Sequence, residues 1–116
     1  MKIINKTKNN ILAEEVIMAD TVFKRIKGLL GRKEIKKGQA LIIKPCNSIH
    51  TFFMRFSIDV IFVDKDNRII ETIISLKPFR LTRLYPRAAF VIELPAGVIQ
   101  ASLTQTGDIL WFGEDK

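Results

Sequence analysis

Residues 45–64 read PCNSIHTFFMRFSIDVIFVD, and this stretch decides the fold. Ile58 to Val63 is a six-residue run of β-branched and aromatic side chains broken only by Asp59, the pattern of a strand buried on both faces rather than of a half-exposed one. Ahead of it, Ile49 to Met54 reads as a second strand joined through Arg55 to Ser57, with His50, Phe52 and Met54 on one face and Thr51, Phe53 and Arg55 on the other. Cys46, His50, Met54 and Asp59 thus stand in a strongly apolar context. A thiol, imidazole or carboxylate placed there costs free energy unless it is hydrogen-bonded, paired or engaged with a ligand.

Working outward, the pattern stays mostly β. Asn9-Asn10 supplies a turn between a short run at Ile3-Ile4 and the run Ile11 to Met18, which predicts a first hairpin. Val22, Ile26, Leu29 and Leu30 fall at i, i+4, i+7 and i+8, so residues 20–31 read as an amphipathic helix capped by Asp20 or Thr21, apolar side inward and basic side outward. Ala40 to Lys44 is a strand stopped by Pro45. Asp64-Lys65-Asp66-Asn67 turns the chain into the long run Arg68 to Leu76, and Lys77 to Ala89, with Pro78 and Pro86, is the longest loop. Phe90 to Leu94 returns to strand, Val98 to Leu103 reads as a short helix, and Gly107-Asp108 turns into the strand Ile109 to Phe112. The expectation is a single domain over residues 1–116, mainly β, a compact sandwich or barrel-like fold of about eight short strands with one or two short helices.

Composition agrees with a folded domain of this size: 116 residues, 47% hydrophobic and 27% charged. There is neither an apolar stretch of signal-peptide type at the start nor a run long enough to span a bilayer, so the expected location is cytoplasmic, with no membrane span. The one cysteine excludes an intramolecular disulfide and a cysteine-rich zinc cluster. The net charge of +7 is regional. Lys24, Arg25, Lys27, Arg32, Lys33, Lys36 and Lys37 face only Asp20 and Glu34 in residues 20–37, and Lys77, Arg80, Arg83 and Arg87 face no acid in residues 77–87. Such an excess suits solubility first, and an anionic ligand, nucleic acid or acidic partner second.

The candidate functional residues follow from the embedded polar groups. Asp59 occupies a position where the alternation calls for a hydrophobe. It pairs with His50 to fix an imidazole tautomer, or, as is commoner, it accepts backbone N–H groups within the fold. Cys46 and His50, four apart, could bring a thiolate to an imidazole, although a free cysteine more often acts as a small buried hydrophobe. No metal centre is expected, since one Cys and one His make a poor set of ligands. Glu93, in VIELPAG, is the second embedded acid. Its expected resolution is an ion pair with Lys77, Arg80, Arg83 or Arg87, or else it anchors those arginines around a phosphate or carboxylate. The loop KPFRLTRLYPRA mixes Phe79 and Tyr85 with arginines, as single-stranded nucleic-acid sites do, but carries no RNA-binding consensus. Phosphate loops, dinucleotide fingerprints and HExxH or serine-elbow motifs are absent.

With these residues laid out, the chain resembles the uncharacterised prokaryotic family known as domain of unknown function 192. The resemblance runs from ADTVFKRIKGLLGR at Ala19 through GQALIIKPCNSIHTFFMRFSIDVIFVD to VIELPAG and the Gly107-Asp108 turn, a core of about residues 19–112. Cys46, Ile49-His50-Thr51, Met54, Ile58-Asp59 and Glu93 to Gly97 match its pattern, while Ser57 stands where relatives commonly have proline. The resemblance implies a mainly β domain of this length and no assigned activity.

Three functional readings result. The first is a small non-catalytic domain binding an anionic small molecule or peptide near Cys46, His50, Thr51, Asp59 and Glu93, its entrance bordered by Lys77, Arg80 and Arg83, with no cofactor named. The second is a hydrolase or transferase using Cys46 or a His50/Asp59 pair. The third is a nucleic-acid or protein interaction module using the basic segments.

Overall fold

A computed structural model describes residues 1–114. Its elements, in chain order, are β1 (Lys2–Asn5), β2 (Asn10–Ala13), β3 (Glu15–Ala19), α1 (Val22–Lys27), β4 (Gln39–Ile43), β5 (Ile58–Val63), β6 (Ile69–Leu76), β7 (Phe90–Pro95), α2 (Val98–Ala101) and β8 (Leu110–Gly113). The eight strands form a three-stranded sheet in the order β2-β1-β8 and a five-stranded sheet in the order β3-β4-β7-β5-β6. Only the β3–β4 pairing is parallel. The mainly β expectation holds, in its sandwich form.

Every residue of β5 is buried, as the uninterrupted apolar run requires. Alternation divides the large sheet's side chains between two cores. Ala40, Ile42, Ile61, Val63, Ile92 and Leu94 pack against Ile3, Leu12 and Leu110 of the small sheet and Ile99 of α2. Leu41, Ile43, Ile58, Val60, Phe62 and Val91 face the other way, against Leu29, Ile35, Ile49 and Met54. This second face is covered by α1 and by the segments 44–57 and 77–89, not by another sheet.

Two turns form as the sequence predicts. Asn9 adopts φ 57° between β1 and β2, and Asn67 adopts φ 63° between β5 and β6, where Asp64 Oδ1 accepts the N–H groups of Asp66 and Arg68 at 2.9 Å each. Asparagine tolerates this left-handed geometry better than other non-glycine residues. The run Ile11 to Met18, by contrast, is two strands: β2 belongs to the small sheet and β3 to the large one, with Glu14 between them.

The helix is shorter than its periodicity suggests. Thr21 caps it, its Oγ1 accepting Lys24 N–H at 3.1 Å, and Gly28 at φ 47° ends it one turn early. Of the apolar stripe only Leu29, beyond the helix, is buried; Val22 and Ile26 are exposed. Residues 49–54 are not a strand either. His50 makes one isolated bridge, to Leu81, and Phe53 takes φ 64°. Its polar backbone groups are satisfied instead by the opposite loop: Thr51 N–H donates to Arg80 O (2.8 Å), Phe79 N–H to Thr51 O (2.9 Å) and Thr82 N–H to Ile49 O (3.0 Å).

Asp59 has a structural post. Oδ1 accepts Ser75 N–H at 2.9 Å, and Oδ2 accepts Gly97 N–H at 3.0 Å and Ile99 N–H at 2.9 Å. A single buried carboxylate thereby holds β6 and the start of α2 against β5. Replacing it by alanine leaves three donors without this acceptor. Asp59→Ala should lose about 3 kcal/mol of stability, read from the urea midpoint at unchanged slope. A loss under about 1 kcal/mol would contradict this role.

Candidate functional site

On the second face of the large sheet, beneath α1, lies a partly open cavity of about 310 Å³. Its floor is β7, the central strand. Glu93 is flanked there by Leu41 of β4 and Val60 of β5, so its side chain rises among hydrophobes. Ile43, Ile49 and Met54 form the walls, and Val22, Arg25, Ile26 and Leu29 the roof. Cys46, Ser48 and His50 bring the polar atoms of the 44–57 segment to its side.

Glu93 is only 3% exposed and its Oε1 has no hydrogen-bond partner among the described residues. Burial pushes its pKa from 4.5 up to about 8, because the charged form is poorly solvated there. At neutral pH the carboxyl is therefore mostly protonated and able to donate as well as accept. Arg25 is the second unsatisfied group. Its Nη1 donates to Pro45 O at 3.2 Å, but its buried Nε has no partner. Native proteins leave few buried polar atoms unpaired, and two such atoms belonging to residues that line one cavity make it the candidate site.

Cys46 is half-buried and its Sγ donates to Ser48 O at 3.1 Å. Burial raises its pKa, and the Glu93 carboxyl adds to the rise against the lowering effect of the Ser48 hydrogen bond and Arg25. The thiol is thus kept in its less nucleophilic form. His50 is exposed at the cavity's edge. Its ring stacks on Phe52 with centroids 5.2 Å apart, and its Nδ1 accepts Phe52 N–H at 3.3 Å, leaving Nε2 for other partners.

The structure brings together Cys46, His50 and Glu93, and separates the remaining candidates. Asp59 neighbours Leu94 across the β5–β7 ladder, whereas Glu93 neighbours Val60, so the two acids point to opposite faces of the sheet. The His50/Asp59 pair is therefore not formed. Thr51 is fully buried and ties the two loops together, donating to Lys77 O at 2.6 Å and accepting Arg80 N–H at 2.9 Å. Lys77, Arg80 and Arg83 are exposed on the loop and do not line the cavity. Arg83 lies 5.2 Å over the Tyr85 ring, and the expected ion pair between this loop and Glu93 is not formed, Oε1 having no partner among the described residues. No group of three or more His, Cys, Asp or Glu among the described residues is arranged to hold a metal ion.

Arg25 is the site residue that sequence reading missed. Three residues after Val22 and four before Leu29, it stands at the margin of the apolar stripe rather than on the basic side. That spacing was the available signal.

The sequence pattern of the family DUF192, described as "Uncharacterized ACR", matches residues 3–112. A UPF0127 protein of Pyrococcus horikoshii is 38% identical over 95% of this chain and 98% of its own length. Another from Thermococcus sibiricus is 38% identical over 98% of this chain and 77% of its own. A crystal structure of a protein of unknown function from Novosphingobium aromaticivorans superposes with a TM-score of 0.84 at 18% identity, covering 97% of this chain and 84% of that one, a likeness of fold.

The raised pKa of Glu93 makes stability depend on pH. Between the unfolded value of 4.5 and the folded value of about 8 the native state binds the extra proton. Stability should therefore be greatest below the lower value and fall by about 1.4 kcal/mol per pH unit as pH rises through this window, then level off. Denaturant titrations of wild type and Glu93→Gln across pH 4 to 9 isolate the slope, which the glutamine variant should lack. Parallel profiles would place the proton elsewhere.

Proposed function

The chain belongs to the DUF192 family, and from that premise we propose that it is a small, non-catalytic binding domain whose cavity takes an anionic small molecule or the end of a peptide. The reading is carried by Glu93 Oε1, a buried oxygen without a partner at the floor of an apolar cavity. Apolar walls with a few convergent polar groups are the ordinary composition of a ligand site. The anionic character of the ligand is supported by Arg25 Nε, a donor aimed at no group of the protein, and by Lys27 beside it. A protonated Glu93 offers a further O–H to an incoming carboxylate, with the proton shared between the two acids. The apolar body of the ligand would lie along Ile43, Ile49 and Met54.

The thiol enzyme reading receives less support, since Cys46 is held protonated and hydrogen-bonded to a backbone carbonyl. The enzyme reading built on His50 and Asp59 lacks that pair, since Asp59 is engaged by backbone N–H groups on the other face.

Glu93→Leu distinguishes a binding role from a packing role. An apolar side chain of similar size removes a desolvated, unpaired carboxyl, so above pH 8 the variant should be about 1–3 kcal/mol more stable than wild type. Native mass spectrometry of gently purified protein should show a bound small molecule on wild type that is missing from Glu93→Leu. Loss of the adduct together with gained stability would show that the carboxyl is retained for its ligand. Bare protein in both preparations, with no thermal shift on adding short carboxylates, would end the proposal.

A further inference from the structure

The cavity opens on a face whose surface chemistry differs from that of the rest of the molecule. Residues 20–57 and 77–89, which include α1 and the two loops over the second core, contain thirteen of the nineteen lysines and arginines and only two acids, Asp20 and Glu34. The remaining residues contain six basic and ten acidic side chains, a net negative charge. These segments therefore carry a net +11 and the rest of the chain −4. Of their basic groups, Lys37 sits beside Ile11 of the small sheet and Lys44 lies over Phe90 of the first core, while Arg25, Lys27, Arg80 and Arg83 belong to the cover of the second face.

The same segments hold most of the large hydrophobic side chains exposed among the described residues. On α1, Phe23 is 74% exposed, with Val22 and Ile26 close behind. On the loops, Phe53 is 76% and Leu81 69% exposed, and Phe79 and Leu84 are also well exposed. They are not scattered. Val22, Ile26 and His50 all line the cavity, His50 bridges to Leu81, and Phe53 packs edge-on against Phe79 at 5.6 Å. Arg25, Arg80 and Arg83 are set among them. Exposed hydrophobes gathered on one side in this way mark an interaction surface.

We infer that this face docks on an anionic lipid bilayer, with the apolar tips of α1 and the two loops entering the headgroup region and the surrounding lysines and arginines held at the phosphate level. The charge complementarity selects an anionic partner. Phe23, Phe53 and Phe79 would serve stacked bases as well as acyl chains, and the aliphatic Val22, Ile26, Leu81 and Leu84 among them tilt the face toward lipid. These side chains favour a fluid layer over a folded acidic protein because Phe23, Phe53, Leu81 and Leu84, well exposed on α1 and both loops, do not line the cavity that a helix or strand would fill. Apolar groups ringed by basic ones are the common design of surfaces that bind at the membrane interface without spanning it. The inference concerns the rim and holds whatever the cavity contains.

Cosedimentation of the full chain with phosphatidylcholine vesicles, with and without about one-third phosphatidylglycerol, tests it. Binding should require the anionic lipid, weaken with salt, and fall about fivefold for each basic charge removed by Arg80→Gln or Arg83→Gln. The surface variant Phe53→Ser/Phe79→Ser should lose tenfold or more, while Ile11→Ser, an exposed hydrophobe on the small sheet, should bind as wild type. Circular dichroism would verify that each variant is folded. No binding to anionic vesicles at low salt would overturn the inference, as would equal binding to neutral vesicles. Binding that Phe53→Ser/Phe79→Ser leaves intact would also overturn it, reducing the face to a charged surface, and capture by polyglutamate or an oligonucleotide in place of vesicles would assign it to another anionic partner.

Discussion

The structure depends on one constraint: a five-stranded sheet whose central strands are apolar on both faces must be covered twice. Strand β5 is buried along its whole length and β7 nearly so. The first face meets this demand with regular structure, since the small sheet and α2 supply a second layer of alternating side chains. The second face is covered by an abbreviated helix and two irregular segments, whose backbone groups must find partners in each other. Thr51 and Thr82 do much of this, each joining the 44–57 segment to the 77–89 segment through backbone and hydroxyl groups. An irregular cover fills space less completely than a sheet, and the cavity is the remainder.

The two embedded acids illustrate the difference between the faces. Asp59 points into the regular layer, where the first turn of α2 and β6 present three N–H groups to it. Glu93, one position out of register on the neighbouring strand, points into the irregular layer and meets none for its Oε1. The same residue chemistry is thus a structural tie on one side and an unpaired group at a cavity floor on the other. What decides between them is the geometry of the cover rather than the carboxyl itself.

Much of this fold was legible from local pattern. The apolar run of β5, the asparagine turns and the final turn-strand at residues 107–113 each follow from side-chain alternation and backbone preference, which act over a few residues. The identification of Asp59 and Glu93 as anomalies was sound for the same reason. Their partners were not legible, because strand register and facing are set by pairings across tens of residues: β7 inserts between β4 and β5, and that insertion sends the two acids apart. The errors at Val22 and Ile26, and at residues 49–54, share another cause. Apolar periodicity was read as burial, but here it marks side chains that the cover presents outward. Arg25 escaped notice because its role depends on a cavity that no local pattern encodes.

The placement of β7 also bears on how the chain assembles during synthesis. Strands β4 and β5, its neighbours, are made first but have no ladder in common. Until residues 90–95 emerge, each presents an open apolar edge. Strand β1 waits longer still, since its second partner, β8, ends at Gly113. The β1–β2 and β5–β6 hairpins and the parallel β3–β4 pair can close early. Such a topology concentrates its long-range contacts in the last quarter of the chain, so folding is a late and largely collective event. A truncated product ending before β7 would leave three strands, β1, β4 and β5, each short of a partner, which makes premature termination, more than any single surface substitution, the route by which this domain would aggregate.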